Sequence, residues 1–209
     1  MNQQFHGAEV RRDDRQVDDV SDRILAAVDQ RGLLLVHDQV LPSVTALIVG
    51  TPVEGSWWSH PLANTIYNAL GAIESDVAVV KLIAGKNTLV AKRLWPQLRD
   101  IGMGRDPWQT HRLDDEVIAL LDDIDHATAP VLVDKSQAKI ATVLERRLLV
   151  YPTEIHTATG HHRKSYQGWQ RWGDERHLRR ARAGTQAQAT FEAIIAQQAD
   201  KVAAKLVPW

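Results

Sequence analysis

The chain of 209 residues contains no cysteine. This excludes disulfides, thiolate nucleophiles and zinc sites built on cysteine, and it is typical of a reducing compartment. Long apolar runs are also missing, since none approaches the ~20 residues that a transmembrane helix needs. The first sixteen residues, MNQQFHGAEVRRDDRQ, hold no apolar segment of the kind found in signal peptides. We expect a cytoplasmic protein without membrane contact.

Neither sign of charge is in excess, because 25 Lys and Arg residues stand against 26 Asp and Glu residues. This balance argues against a protein that coats nucleic acid through bulk charge. The charges are nevertheless unevenly distributed. Residues 113–126 include six acidic residues and no Lys or Arg, whereas residues 163–182 include seven Lys and Arg residues and two acidic ones. Such asymmetry indicates an acidic or nucleic-acid partner.

The first half of the chain has an element order typical of a winged helix. Apolar residues recur with helical spacing from residue 18 and again over residues 61–73, with a short apolar strand segment and a short helix between them. Two segments rich in β-branched residues, 77–83 and 88–93, flank the turn Ala-Gly-Lys-Asn and predict a hairpin. A helix-turn-helix with such a wing presents one helix and one ribbon to a nucleic acid.

The second half repeats this plan in a looser form and continues into a basic helix over residues 161–182. The segment 102–107, with two glycines and a final proline, predicts a linker between the halves. We therefore predict an α+β fold that is mainly α with short β hairpins. Its parts are a disordered tail at 1–16, a first winged-helix-like unit at 17–102, a second such unit with the basic helix at 107–183, and a C-terminal helix at 184–209.

Three stretches of the chain resemble a known bacterial family. They are GSWWSHPLANTIYNAL, VVKLIAGKNTLVAKRLWPQL and LERRLLVYPTEIHTATGHHRKSYQGWQRW. In their order over residues 18–175 they resemble uncharacterised bacterial proteins related to the AlkZ/YcaQ type of winged-helix DNA glycosylase. Those glycosylases release alkylated or crosslinked bases. The resemblance implies tandem winged helices and a connection with DNA.

The catalytic element of those glycosylases is a Gln-x-Gln or Gln-x-Asp pair. The stretch Gln186-Ala187-Gln188 has the letters of this motif, but it lies in an alanine- and glutamine-rich run that enters the final helix. The resemblance therefore implies the architecture and a DNA partner, and not the catalytic activity.

Aromatic and amide residues near the third helix have two interpretations. Trp57 and Trp58 precede this helix, and Asn64 and Asn68 lie on its polar face. An exposed aromatic ring stacks on a base, and asparagine pairs with adenine in the major groove. Alternatively, the tryptophans attach the helix to the core and the asparagines face solvent. Both interpretations stay open.

Basic residues of the first hairpin and of the predicted basic helix are candidate phosphate contacts. Lysines on a β-ribbon contact phosphates or protect a sheet edge. Trp169 and Trp172 of the basic helix stack on bases or pack in the core. The candidate nucleic-acid-binding residues are Lys81, Lys86, Lys92, Arg93, Arg163, Lys164, Tyr166, Arg171, Arg176, Arg179, Arg180 and Arg182.

The candidate catalytic residues are Glu154, His156 and His161. A carboxylate beside histidines can act as a general acid–base pair, and similar spacings hold zinc. Structural hydrogen bonds or phosphate contacts also explain these residues. We predict neither a metal ion nor another cofactor.

The sequence favours a DNA-binding or DNA-repair-associated winged-helix protein without catalytic activity. One alternative is a glycosylase-like hydrolase that acts on a nucleobase or nucleotide through Glu154, His156 and His161. Another is a protein-interaction module, in which the tandem winged helices and the C-terminal helix bind a partner or form a homodimer. Fold alone does not decide among these functions.

Overall fold

The computed structural model describes residues 4–156, 162–179, 184–198 and 206–209. The chain divides into two compact units. The first unit is Met1–Ala78 with Thr88–Lys92, and the second is Val79–Asn87 with Arg93–Trp209. Along the described parts of the chain, no helix combines the length and the apolar character that a membrane crossing requires.

The first unit contains three α-helices and a small sheet within its described residues. Its elements are α1 (Gln4–Arg31), β1 (Leu33–Leu35), α2 (Val44–Val49), α3 (Ala63–Ala72), the start of β2 (Val77–Lys81) and most of β3 (Asn87–Ala91). The strand order is β1-β3-β2. β1 runs antiparallel to β3, with Leu33 opposite Val90 and Leu35 opposite Thr88.

The apolar stripe of α1 forms part of this unit's core. Val20, Ile24 and Val28 lie four residues apart and are buried, as expected for one face of a helix. α1 packs on α3, where the Ser21 hydroxyl donates to the Ala69 carbonyl at 3.4 Å. Gly32, at a φ of +82°, ends the helix and turns the chain into β1.

α1 begins earlier than the sequence predicts. It starts at Gln4, whereas residues 1–16 are predicted to form a disordered tail. No proline interrupts this segment, and each residue added to an existing helix gains about one hydrogen bond once the unfavourable nucleus has formed. The buried stripe from Val20 onward supplies that nucleus, so helix propagation explains the extension.

The second unit contains six α-helices and a second small sheet within its described residues. These are α4 (Trp95–Met103), α5 (Pro107–Thr110), α6 (Asp115–His126), β4 (Val131–Leu132), α7 (Ala138–Arg146), β5 (Tyr151–His156), β6 (His162–Gln167), α8 (Trp169–Glu175) and α9 (Gly184–Gln198). The strand order is β4-β6-β5, and β6 is antiparallel to both neighbours. A core that includes Val117, Ile124, Leu144, Val150 and Tyr166 lies among α6, α7 and the sheet.

Both units therefore share one order of elements. In each, a helix, a first strand and a further helix precede two strands, and the last of these strands lies between the other two. The predicted α+β class is confirmed.

Two glycines allow α4 and α8 to approach closely. A Cβ at Gly102 of α4 would overlap the ring of Trp169, and a Cβ at Gly173 of α8 would overlap the side chain of Arg99. Trp169 and Arg99 are both buried, so neither can move aside cheaply. The segment predicted as a linker thus begins inside a packed helix and belongs to the second unit.

The predicted basic helix over residues 161–182 is wrong. Residues 162–167 form β6, the central strand of the second sheet, and α8 begins only at Trp169. β6 pairs with β5 and β4, with Ser165 opposite Thr153 and Tyr166 opposite Val131. Pairing on both edges, together with the burial of Ser165, Tyr166 and Gln167, outweighs the local preference of the sequence.

The C-terminal helix packs within its own unit. α9 contacts α4, and its residues Ala187, Phe191 and Ile195 are buried. The Trp209 indole N–H donates to Glu192 of α9 at 2.6 Å. Of the apolar residues on which the predicted homodimer depends, Phe191 and Ile195 are buried in the second unit, and Ile194 and Leu206 are partly buried. Val202 lies outside the described residues.

Candidate nucleic-acid interface

α7 carries a basic outer face. Lys139 and Arg146 are exposed, while Ala141 and Leu144 of the same helix are buried. Lys139 and Arg146 lie seven residues apart, which places them on one side of a helix two turns apart. We call this pair the α7 basic face. Because the opposite side is held in the core, the two cations point toward solvent.

Hydrogen bonds fix the end of α7. The buried Gln109 side chain donates to the carbonyls of Arg147 and Leu148 at 3.1 and 3.3 Å. In return, the Arg147 guanidinium donates to the carbonyls of Gln109 and His111 at 3.0 and 2.7 Å. The Trp169 indole N–H donates to the Leu148 carbonyl at 2.8 Å. These bonds satisfy carbonyls at a helix end, so the α7 basic face stands on a rigid support.

A buried carboxylate lies beside this face. Glu145 is only 3% exposed, and both of its oxygens accept hydrogen bonds from the Lys164 ammonium at 2.9 and 3.0 Å. The Tyr166 hydroxyl donates to the same carboxylate at 2.6 Å. The Lys81 ammonium lies 3.9 Å from the second oxygen. We call Glu145, Lys81, Lys164 and Tyr166 the Glu145 cluster.

The surroundings of Lys81 and Tyr166 change the pKa of both side chains. Burial lowers the pKa of Lys81; Lys164 and Arg146 lower it further, and Glu145 opposes the change. Burial raises the pKa of Tyr166 well above its usual range, and the hydrogen bond to Glu145 adds to the rise. Tyr166 therefore stays neutral. It is a buried donor and not an exposed stacking ring.

The other candidates from the first hairpin are exposed. Lys92 forms an ion pair with Asp76 at 2.6 Å in the first unit, and this bond is the largest cause of the lowered pKa of Asp76. Lys86 and Arg93 are exposed residues of the second unit.

Several candidates around α8 have structural contacts. The Arg176 guanidinium lies 4.8 Å from the Trp172 ring centroid and 5.6 Å from those of Trp95 and Tyr151. Arg171 donates to the Ala127 carbonyl at 3.0 Å. Trp169 and Trp172 are fully buried. Trp169 and Trp172 thus belong to a packed aromatic cluster, and Arg176 forms cation–π contacts with this cluster.

The remaining basic candidates differ in position. Arg163 and Arg179 are exposed, and Arg163 approaches the Val133 carbonyl at 3.5 Å. Arg180 and Arg182 lie outside the described residues.

The candidate catalytic cluster cannot be built from the described side chains. The backbones of Glu154 and His156 belong to β5, while their side chains, and His161 as a whole, lie outside the described residues. Among described residues, no group of three or more His, Asp or Glu side chains is arranged to hold a metal ion.

The glutamine motif has a structural contact. Gln186 and Gln188 lie in α9, and the Gln188 amide donates to Asp106 at 2.9 Å. This hydrogen bond connects α9 to the residue that precedes α5.

A cleft of about 550 Å³ lies beside α8. Arg105 forms an ion pair with Asp125 there, and Gly168 leaves room for that carboxylate, because a Cβ would lie 2.8 Å from its oxygen. Burial raises the pKa of Asp125, and Arg105 opposes the rise. The pair connects α6 to the segment before α5.

The first unit presents a different surface. Trp57 is buried, while Trp58 is 57% exposed and stacks on it at a centroid distance of 4.2 Å. The Tyr67 ring lies 5.5 Å from Trp58, and Asn64 and Asn68 are exposed on α3. The core interpretation is therefore confirmed for Trp57, while Trp58 and the two asparagines face solvent.

Comparison of the chain with protein-family models, with curated proteins and with solved structures found no match.

The α7 basic face was absent from the sequence prediction. Its signal is the seven-residue spacing of Lys139 and Arg146 around the apolar residues of α7. The basic residues of α7 do not form a run in the sequence, unlike those of residues 176–182. The burial of Glu145 was not predicted either, because a glutamate next to two arginines in the sequence is typical of an exposed surface residue.

Proposed function

We propose that this protein is a DNA-binding protein of winged-helix type without catalytic activity. The α7 basic face contacts the phosphates of a duplex, and the hairpin of β5 and β6 acts as the wing of the second unit. The observation that carries the proposal is the exposed Lys139 and Arg146 on the helix that directly precedes this hairpin. Such a helix is the element that a winged helix presents to DNA.

The topology of each unit supports the proposal. A helix, a strand and helical segments lead into two strands, of which the last pairs with the first, and this is the arrangement expected of a winged helix. Exposed Arg163 on β6 adds a cation to the proposed wing. The small negative net charge favours local contacts over nonspecific coating. The proposed kinship with glycosylase-related proteins adds a repair setting.

Two variants with equal charge change test the proposal. K139Q/R146Q removes two positive charges from α7, and N64D/N68D adds two negative charges to α3, so each lowers the net charge by two. Fluorescence anisotropy across a salt series measures binding to duplex, single-stranded and branched DNA. We expect K139Q/R146Q to weaken duplex binding and to reduce the slope of log affinity against log salt by about 1.8, the value for two lost phosphate contacts.

The asparagine variant is the control for net charge. It should change the salt slope much less than K139Q/R146Q does. Equal changes in both variants would reduce the effect to bulk charge, and a slope that K139Q/R146Q leaves unaltered would contradict the proposal. Circular dichroism of each variant verifies that the fold is retained.

A further inference from the structure

The Glu145 cluster holds two lysines that differ in how they contact one carboxylate. Lys164 donates to both oxygens of Glu145, and Tyr166 donates to the first of them. Lys81 stands 3.9 Å from the second oxygen, beyond hydrogen-bond distance. Lys164 therefore forms the direct ion pair, and Lys81 lies next to a carboxylate that already has its donors.

This arrangement disfavours the charged form of Lys81. Partial removal of its amine from water is the largest effect and lowers its pKa; Glu145 opposes this, and the two further cations Lys164 and Arg146 add to the lowering. Burial next to another cation is how lysines become nucleophiles at neutral pH. The side chain is 22% exposed, so part of it is in contact with solvent.

The surroundings also indicate the charge of a ligand. When Lys81 is the ammonium, or the iminium that it forms, Lys81, Lys164 and Arg146 carry three positive charges beside the single negative charge of Glu145. A phosphate group on the ligand would balance this excess, and Arg146, which is exposed at the end of α7, is placed to meet it from solvent.

We propose that Lys81 is an amine nucleophile that forms an imine with the aldehyde of a phosphorylated ligand. Imine formation at Lys81 does not require the DNA binding proposed above, although Arg146 serves both proposals and an opened sugar within a phosphodiester chain belongs to the same ligand class.

The reaction balances without an added oxidant or reductant. The Lys81 ammonium releases a proton to solvent, and the neutral amine attacks the carbonyl carbon. The carbonyl oxygen takes up a proton to give a carbinolamine. Protonation and loss of water then leave an iminium, so that one ammonium and one aldehyde become one iminium and one water. The positive charge beside Glu145 is conserved.

Pyridoxal 5′-phosphate with borohydride reduction is a suitable probe, because reduction fixes the imine as a stable amine that peptide mass spectrometry locates. Lys139, an exposed lysine of the same unit, is the internal reference. We expect Lys81 to be modified several-fold faster than Lys139 at neutral pH. As the pH is raised, the modification rate of Lys81 should level off at a lower pH than that of Lys139. Modification of Lys81 no faster than Lys139 across this pH range would overturn the proposal.

Two variants and a second probe test the parts of the proposal separately. K81R removes the amine while keeping the charge, so the mapped adduct should disappear. Pyridoxal, which lacks the phosphate, should modify Lys81 several-fold more slowly, and R146Q should reduce this difference. Equal rates for the two aldehydes would overturn the phosphorylated ligand class. Because all the probes are small molecules, the outcome does not depend on whether the protein binds DNA.

Discussion

The two units share an order of elements but differ in the surface of the helix before the hairpin. α3 exposes Asn64 and Asn68 and contains no charged residue, whereas α7 exposes Lys139 and Arg146. Cations attract phosphates over a distance, while amides and rings act only in contact. The comparison shows that a common topology does not determine how a unit contacts a nucleic acid. The few exposed residues on the side of the helix opposite the core determine it.

The two units each contain a helical glycine, and these two glycines have different surroundings. In the second unit, Gly102 lies directly against the Trp169 ring. In the first unit, Gly71 of α3 is exposed, and no described atom lies within 4 Å of a Cβ built on it. The same substitution should therefore have opposite effects in the two units.

The largest effect that we expect is from Gly102→Ala. The added methyl group overlaps a fully buried ring, and overpacking of this kind destabilises by about 3 kcal/mol, the upper part of its usual range. Urea denaturation followed by tryptophan fluorescence measures the loss. Gly71→Ala is the matched control, and we expect it to be neutral or to stabilise by up to about 1 kcal/mol, because alanine is the better helix former. Equal destabilisation by both would refute the close contact between Gly102 and the Trp169 ring as the cause.

A smaller effect is expected from Trp58→Ala. The half-exposed ring rests on Trp57 and Tyr67, and a base that stacks on it would contribute about 1 kcal/mol, the lower end for such contacts. We expect roughly fivefold weaker binding of single-stranded DNA with an unchanged salt slope. Anisotropy at several salt concentrations measures both quantities. A reduced slope would assign Trp58 to the same surface as the phosphate contacts and remove the contrast between the units.

The α+β class could be predicted because apolar residues recur with regular spacing. Val20, Ile24 and Val28 are an example, since their spacing of four residues in the sequence indicates one buried face of a helix. β6 could not be predicted in this way. Its residues HRKSYQ are polar, and they form a strand because β4 and β5 pair with both edges. The Glu145 cluster could not be predicted from the sequence either, because only the fold brings Lys81, Glu145 and Lys164 together.

The smallest effect concerns two ion pairs, one in each unit. The pKa values of their carboxyl groups are shifted in opposite directions. The hydrogen bond from Lys92 lowers the pKa of the exposed Asp76, whereas burial raises the pKa of Asp125 despite Arg105. A lowered pKa in the folded state contributes stability that is present above the unfolded value of 3.8 and is lost as pH falls through the folded pKa. A raised pKa contributes stability at low pH that is lost as pH rises through the folded value.

Asp76→Asn should therefore destabilise the protein near pH 7 and have little effect below the unfolded pKa. Asp125→Asn should gain stability relative to the wild type as pH rises from the unfolded pKa through the folded one. Thermal unfolding of the wild type and both variants at closely spaced pH values measures these differences, in which the other titrating groups cancel. The stability of each variant relative to the wild type is then plotted against pH. If both differences change in the same direction with pH, the half-buried pair of the second unit does not differ from the exposed pair of the first. The burial of Asp125 then has no energetic consequence.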